Sequence, residues 1–382
     1  MDTKAKPKQS SQGLLVIWHG MNVRQLLRFC AHPPLLHWNK AHVIASLPLS
    51  AVYNSVLGLV ERLTYGRSVA RTEIKEPPLF VVGHWRSGTT LLHNLLSQDP
   101  RFASPNMYQC LFPNHFLLTE RVVTALTARL VPESRPMDNL PAGWSIPQEE
   151  DIALAILTCL SPYMLMANPD RNDLARPFYD LALLSNAERE FFKREYLTLL
   201  KKFTLAGGGR QLVVKSPVNT YRIPLLLEMF PDAKFVCITR NPFDVVQSSL
   251  HLRKTMFREN TLGTPHLTDD HDAVYKVLEH AHRAYQRDKR LIPNGHLHEV
   301  KFEDLEQDPL GEMEQVYARL KLDGWEQLRS IIEPQVQSLR RYRKNQYRNT
   351  QAQLDECYVR LRRLFEEQGY PHPEAEPIAI PA

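Results

Sequence analysis

The sequence predicts an α/β fold in which a central parallel sheet is flanked by helices, in three layers. Short apolar runs alternate with segments of helical periodicity, which is the order that produces parallel strands joined by helices. The runs contain few polar residues, as in "FVCI" at 235–238, and this is typical of strands buried on both faces. The predicted strands are 79–82, 210–215, 233–240 and 296–305.

Residues 1–76 are predicted to form a helical N-terminal region, which ends at the prolines of "EPPLF" because proline stops a helix. Within it, residues 41–60 have no formal charge and are long enough to span a bilayer. The same stretch contains a histidine, a proline and an asparagine, which are costly in hydrocarbon. We therefore favour a docked helix pair, or a helix on a membrane surface beside Arg62 and Arg67, over a membrane span.

The composition is that of a soluble globular protein, with 382 residues, a net charge of +5 and 23% charged residues. So mild and scattered a positive charge fits an anionic small molecule and argues against nucleic acid as a partner. The five cysteines are far apart, and they predict a reducing, cytoplasmic location without a zinc site or a disulfide framework. Cys237 lies in an apolar run and is expected to be a buried, inert thiol.

The segment "LFVVGHWRSGTTLLHNLLS" at 79–97 predicts a phosphate-binding loop between a strand and a helix, and with it a P-loop-like fold. Gly83 and Gly88 form G-x-x-x-x-G, whose backbone N–H groups can turn towards an anion at the start of the helix. A nucleoside triphosphatase has Lys after the second glycine, and this chain has Thr89 there, so ATP hydrolysis is disfavoured. Further hydroxyl donors come from Ser87, Thr89 and Thr90.

Two helical regions complete the domain that is predicted over 77–382. The insertion 99–206 is mainly helical and is expected to cover the carboxyl edge of the sheet, where ligands bind in this architecture. The C-terminal part, 339–382, begins with the basic segment "LRRYRKNQYRN" and continues as an amphipathic helix that ends at Gly369.

A second motif, "TRNPFDVVQSSL" at 239–250, follows the third predicted strand. Arg240 ends the strand, and Ser248 comes about two turns into the next helix. Both can therefore reach one anion, with the guanidinium binding a phosphate through two hydrogen bonds. Alternatively, Arg240 pairs with Asp244 on the surface and Ser248 faces solvent.

These two motifs, with "VVKSP" at 213–217 and "KFEDLEQDP" at 301–309, resemble those of sulfotransferases. "GHWRSGTT" resembles their 5′-phosphosulfate loop, and "RNPFDVVQS" resembles their 3′-phosphate element. The resemblance extends over about 78–322 and is greatest to the broad, mainly bacterial branch. It implies an enzyme that transfers a sulfuryl group from 3′-phosphoadenosine-5′-phosphosulfate (PAPS) to a hydroxyl or amine of a small acceptor, with no metal required.

The resemblance also implies roles for the matching residues. Arg86 and the strand-end Lys215 are expected to stabilise the charge that builds on the leaving phosphate oxygen. A lysine in solvent at 215, and a solvated basic turn around 343, are the alternatives that stay open. The residues expected to bind the donor are Arg86, Ser87, Gly88, Thr89, Thr90, Arg240, Ser248, Arg343 and Lys344.

The acceptor needs a general base, and the best candidate is Glu149 in "WSIPQEEDIAL" at 144–154. An acidic cluster occurs in this position in the family, and Glu149 best matches its first acid. The alternative is a helix start, in which Ser145 and Gln148 form a capping box and the acids favour the helix dipole. The other candidates are Glu150, Asp151, His93 and His115.

Two other functions stay open at this point. A nucleotide kinase or NTPase would have to turn over ATP without the usual loop lysine, and a non-catalytic protein would keep the fold to bind a partner or a membrane. The insertion contains the apolar runs "NMYQCLFPNHFLL" and "CLSPYMLMANP", which favour a lipid-like or other apolar acceptor over a sugar. Core packing explains the same composition, and the oligomeric state is not predicted.

Overall fold

The computed structural model describes residues 16–31, 36–130, 143–167, 179, 181, 183–263, 271–336, 350–372 and 374. The described strands are β1 (Leu79–Val82), β2 (Phe102–Ala103), β3 (Gln211–Lys215), β4 (Lys234–Thr239) and β5 (Leu297–Lys301). They form one sheet in the order β2-β3-β1-β4-β5, and every pair is parallel. The parallel sheet and its four predicted strands are confirmed, except that the last of them, predicted over 296–305, ends at Lys301 and is followed directly by a helix.

The described residues also form fourteen α-helices. Those before β3 are α1 (Val23–Cys30), α2 (Ala41–Arg71), α3 (Thr89–Leu96), α4 (Met107–Leu111), α5 (Phe116–Thr127), α6 (Glu150–Thr158) and α7 (Asn186–Ala206). Those after β3 are α8 (Ile223–Met229), α9 (Pro242–Asn260), α10 (His271–Asp288), α11 (Phe302–Gln307), α12 (Pro309–Arg319), α13 (Trp325–Ile332) and α14 (Gln351–Gln368).

The sheet separates two hydrophobic clusters, so the three-layer arrangement is confirmed. Successive side chains of a strand point to opposite faces, and β1 therefore buries Phe80 and Val82 on one side and Leu79 and Val81 on the other. Helices α6, α7 and α8 pack on the first side, and α3, α12 and α13 pack on the second. Each fully buried Val, Leu or Phe contributes about 1.5–3 kcal/mol, so the sheet is a stable base for the loops at its edge.

The helix pair, which was one of our two alternatives for residues 41–60, does not form, and the single helix α2 takes its place. It is one helix of 31 residues that includes Pro48, because the packing of its inner side continues past the proline. Two buried polar groups hold that side: Asn54 Nδ2 donates to His19 O at 2.6 Å, and Glu61 pairs with Lys202 at 2.6 Å. By length and composition alone, Trp38–Arg71 is a candidate membrane span.

The predicted insertion 99–206 contains a strand that we did not predict, the two-residue β2, which pairs with β3. The rest of its described part is mainly helical, and the start of α6 meets the carboxyl end of β3. At the C-terminus, α14 ends at Gly369 with a φ of 69°, as predicted. The basic segment with Arg343 and Lys344 lies outside the described residues.

Candidate active site

The loop between β1 and α3 has a backbone shape that two glycines make possible. Gly83, Arg86 and Gly88 have φ values of 145°, 71° and 102°, so the chain turns in the left-handed region three times. A Cβ on Gly83 would lie 2.5 Å from Ile238 O, and one on Gly88 would lie 2.3 Å from the Phe302 ring. Both positions therefore require glycine.

Hydrogen bonds within the loop fix this shape. Thr220 Oγ1 accepts from Gly83 N at 2.9 Å, and Ser87 Oγ donates to His84 O at 2.8 Å. The Ser87 hydroxyl, which we predicted as a ligand donor, is thus engaged inside the loop. Helix α3 begins at Thr89 without a side-chain cap, so its first N–H groups face the loop and favour an anion there.

The loop between β1 and α3 forms hydrogen bonds with the second motif, residues 239–250. Arg86 Nε donates to Ser248 Oγ at 2.7 Å, and Arg240 Nη1 donates to Arg86 O at 3.4 Å. Ser248 is 4% exposed, so the alternative in which it faces solvent is wrong. Arg240 does pair with Asp244, at 3.3 Å, but its guanidinium also lies over the Phe302 ring, 4.5 Å from the ring centre.

A further hydrogen-bond donor of Arg240 is its Nε atom. This atom is buried and has no hydrogen-bond partner in the part of the chain that the structure describes. A buried donor without an acceptor costs about 1–3 kcal/mol. An anion bound beside Arg86 and Arg240 would remove that cost, so this corner of the site fits a phosphate.

Lys215 lies between the loop and the insertion. It is 1% exposed, and its Nζ lies 2.5 Å from Glu149 Oε1 and 3.4 Å from Thr90 Oγ1. The alternative of a strand-end lysine in solvent is therefore wrong. Tyr163 donates its hydroxyl hydrogen bond to Glu149 Oε2, so both carboxylate oxygens of Glu149 have a partner.

The alternative capping box of Ser145 and Gln148 does not form, although Glu150 and Asp151 do lie in the first turn of α6. Helix α6 begins at Glu150, and Glu149 is its N-cap residue, without a side-chain cap. The preceding chain is drawn away from a helix by an antiparallel bridge between Pro147 and Asn106. The Gln148 side chain accepts instead from Glu149 N at 3.0 Å. The Glu149 carboxylate therefore points to Lys215 rather than to the helix end.

The next two acids belong to the core. Glu150 is fully buried and accepts from Tyr196 Oη at 3.0 Å and from Asn219 Nδ2 at 2.5 Å. Asp151 pairs with Arg222 at 2.5 Å, with both side chains fully buried. Among the three consecutive acids, Glu149 is thus the one that contacts Lys215.

The two histidine candidates are also buried. His93 Nε2 lies 3.3 Å from Val213 O, and burial, with Lys215 as the second cause, lowers the pKa of His93 to about 3. His115 contacts Thr119 and Asn54, and burial lowers the pKa of His115 to about 4. These contacts bind the histidines to the core, and among the five candidates for the base only Glu149 is seen to make a hydrogen bond to Lys215 in the described residues.

Glu150 supports a prediction about stability. Burial raises the pKa of Glu150 from 4.5 to about 7, so between these values the folded protein binds more protons than the unfolded chain. The wild-type free energy of unfolding should therefore lose up to about 1.4 kcal/mol per pH unit through Glu150 as the pH rises. The Glu150→Gln side chain has nearly the same shape and does not titrate. The free energy of unfolding of this variant should therefore increase relative to that of wild type as the pH rises.

Urea unfolding of both proteins at about pH 5 and about pH 8 measures this difference, because the other titrating groups are shared and cancel. Glu150 Oε2 and Asn219 Oδ1 are among the buried side-chain oxygens without a partner in the described residues, which fits a protonated carboxyl at Glu150. A stability difference that is the same at both pH values would show that Glu150 is ionised in the folded protein.

Sequence analysis did not identify the aromatic side of the site. Trp85, in the loop, donates from Nε1 to Tyr163 Oη at 3.1 Å, and its ring lies 6.4 Å from that of Tyr221. Tyr163 lies in the apolar run "CLSPYMLMANP", where a tyrosine is not distinguishable from a core residue. Its position after a proline and before a methionine contains no signal of the contact with Glu149.

Metal ligands do not gather near these residues. Across the described ranges, no group of three or more His, Cys, Asp or Glu side chains is placed to hold a metal ion. Cys237 is 2% exposed, and burial raises the pKa of its thiol to about 12, so the prediction of a buried, inert cysteine is confirmed.

Comparison with known proteins agrees with this arrangement. A model of the sulfotransferase family matches residues 77–327. Omega-hydroxy-beta-dihydromenaquinone-9 sulfotransferase Stf3 of Mycobacterium bovis is 32% identical over 365 residues, which are 95% of this chain and 94% of that protein. The Stf3 protein of Mycobacterium tuberculosis matches to the same extent.

Solved structures support the same fold. Sulfotransferase STF9 from Mycobacterium avium has a TM-score of 0.62 and 18% identity, over 82% of each chain. Sulfotransferase STF1 from Mycobacterium tuberculosis has a TM-score of 0.51 and 17% identity, over 80% of this chain and 84% of that one. The predicted P-loop-like fold is therefore confirmed, and the chain belongs to the sulfotransferase family.

Proposed function

We propose that the protein uses PAPS as its donor and transfers the sulfuryl group to a hydroxyl, or an amine, of a small apolar or lipid-like acceptor. The observation that supports this most directly is the position of Lys215, within 3.4 Å of both Thr90 in the loop and Glu149 in the insertion. One ammonium group thus connects the donor side of the site with an acid that can act on an acceptor.

The donor fits the residues around the loop. The phosphosulfate would lie on the backbone of 86–90 and the uncapped start of α3, and Arg240 and Ser248 would hold the 3′-phosphate. The buried Arg240 Nε, which has no partner among the described residues, supports an anion there. We propose that Arg343 and Lys344, in the basic segment outside the described residues, complete the 3′-phosphate site.

Glu149, Lys215 and Arg86 have separate roles in the proposed reaction. The acceptor oxygen attacks sulfur in line as the bond from sulfur to the bridging phosphate oxygen breaks, and Glu149 takes the acceptor proton. Lys215 has three N–H donors, two of which face Glu149 and Thr90, and the third can stabilise charge on the leaving oxygen. Arg86, held by Ser248, stabilises the same charge from the other side. The products are the sulfated acceptor and adenosine 3′,5′-bisphosphate (PAP).

The acceptor class follows from the aromatic side of the site. Trp85 and Tyr163 lie next to Glu149, and Tyr179 and Tyr221 extend the same cluster, with ring centres 4.8 Å apart. The Stf3 relatives act, by name, on a hydroxylated dihydromenaquinone, which is a lipid. We therefore propose residues 77–382 as the catalytic domain, with 99–206 forming a pocket for an apolar alcohol, in a cytoplasmic protein that works beside a membrane.

Calorimetry with PAP and with ADP tests the donor. PAP has the 3′-phosphate that Arg240 and Ser248 would bind, so it should bind at least about tenfold more tightly than ADP, which corresponds to about 1.4 kcal/mol. The titrations are done without magnesium, since the site needs none. Equal or stronger binding of ADP would contradict the assignment and favour a nucleotide kinase.

A further inference from the structure

The outer side of α2 is a continuous apolar stripe. Leu49, Val52, Val56, Leu59 and Leu63 follow each other in steps of three or four residues, so they lie on one side of the helix. Their exposed fractions range from 51% at Leu59 to 77% at Leu63. At about 1.5 Å per residue, the stripe is about 20 Å long. A patch of this kind on a soluble protein indicates a partner.

Neighbouring elements widen the stripe. Helices α1 and α5 pack against α2, and Val23 N donates to Ser55 Oγ at 3.0 Å, which places the start of α1 beside the stripe. Trp38, just before α2, is 90% exposed. Other exposed apolar side chains of α1, α2 and α5 are Val23, Leu27, Tyr53, Val60, Tyr65, Val122 and Leu126, and Leu36 is exposed before α2.

The inner side of α2 prevents it from leaving the protein. Val43, Leu47 and Ala51 are buried, and they are followed along the helix by Asn54 and Glu61, which make the buried contacts described above. A helix that turned away to cross a bilayer would strip Asn54 of its partners and leave Glu61 and Lys202 as separated charges, which is strongly destabilising. Helix α2 therefore stays packed against the rest of the protein, with the stripe on its outer, exposed side.

The charges around the stripe are mainly positive, although Glu73 and Glu76 are exposed just beyond the end of α2. Between Asp2 and Glu73 the single acidic residue is Glu61, which is paired with Lys202. Arg67 and Arg71 are exposed and follow the stripe at the C-terminal end of α2. The exposed arginines of α1, α2 and α5 include Arg24, Arg62 and Arg121, and Arg129 is exposed just after α5. An apolar strip bordered by arginines is complementary to an anionic lipid surface.

We propose that this docking face, formed by α2 with the exposed apolar residues of α1 and α5, binds an anionic membrane with α2 parallel to the bilayer. The inference rests on the proposed function, because an enzyme with a lipid-like acceptor has to meet it at the membrane. A second copy of the chain is a poorer occupant. A two-fold dimer through this face would bring the arginines of both copies together.

Sedimentation with phosphatidylcholine vesicles, with and without phosphatidylglycerol, tests the docking face. We expect wild type to bind the anionic vesicles and to be released by salt. A variant with Leu49→Ser, Val56→Ser and Leu63→Ser should bind them at least about tenfold more weakly. A control variant changes three equally exposed apolar residues elsewhere and should bind like wild type: Leu183→Ser, Leu291→Ser and Val359→Ser.

Three results would overturn the docking face: no binding of wild type to anionic vesicles, unchanged binding of the stripe variant, or a stable dimer that the stripe variant dissociates. Calorimetry with PAP on the same proteins separates this inference from the proposed function, since the stripe is remote in sequence from every donor-binding residue. Loss of PAP binding with intact vesicle binding would refute the donor alone. The reverse would refute the docking face alone.

Discussion

Replacement of Glu149 by glutamine is expected to lower kcat for sulfuryl transfer by about 10²- to 10⁴-fold, with little change in PAP affinity. Glutamine has nearly the same shape, and its one oxygen can still accept from Lys215 or from Tyr163, which donate to different oxygens of Glu149. It cannot take the proton of the acceptor. The loss should therefore appear in single-turnover rates, while calorimetry shows that the nucleotide still binds.

A comparison of acceptors separates proton transfer from positioning. If Glu149 is the base, the defect of Glu149→Gln should shrink for acceptors with a more acidic hydroxyl, because these need less help to lose the proton. If Glu149 acts only by placing Lys215, the defect should be the same for all acceptors. Glu150→Gln is the matched control, since Glu150 lies next in sequence but bonds to Tyr196 and Asn219, and it should keep kcat within about threefold.

Much of the sheet was predictable because its strands are local patterns. The runs that form β1 and β4 are apolar over four residues, β3 has three apolar residues, and β5 follows the turn residues "PNG"; the structure has strands in all four places. The strand β2 was missed because Phe102–Ala103 is too short for any periodicity and exists only through its pairing with β3. The helix-pair alternative for residues 41–60 failed for the same reason, since the continuity of α2 past Pro48 depends on packing against other helices.

The site was predictable to the extent that it follows motifs. Gly83 and Gly88 are required by the backbone conformation of the loop, which is a local property, and both were identified from the G-x-x-x-x-G spacing. The Arg86–Ser248 bond joins positions 162 residues apart, and the Lys215–Glu149 pair joins positions 66 residues apart, so neither contact has a pattern in the sequence. The capping box failed for a related reason, since the bridge of Pro147 to Asn106 overrides the local preference of Ser145 and Gln148.

Replacement of Arg240 by alanine is expected to weaken PAP about 100-fold, while AMP weakens no more than about threefold. PAP and AMP differ in the 3′-phosphate, and removing one partner of a partly buried charged pair costs about 2–5 kcal/mol. Arg240 is positioned for this role by the Phe302 ring and by the Arg86 carbonyl, and its Nε is buried with no partner among the described residues. Calorimetry with both nucleotides measures the difference.

Asp244→Asn decides whether Arg240 serves the ligand or the helix. Asp244 pairs with Arg240 four residues away, and its side chain is 47% exposed, so this pair is worth only about 0.3–0.5 kcal/mol. If Arg240 binds the 3′-phosphate, Asp244→Asn should leave PAP affinity unchanged or slightly raise it, because a competing carboxylate is removed. If Arg240 is structural, Arg240→Ala should weaken PAP and AMP alike, because the Arg86 carbonyl loses its donor, and Asp244→Asn should weaken both nucleotides slightly through the lost pair.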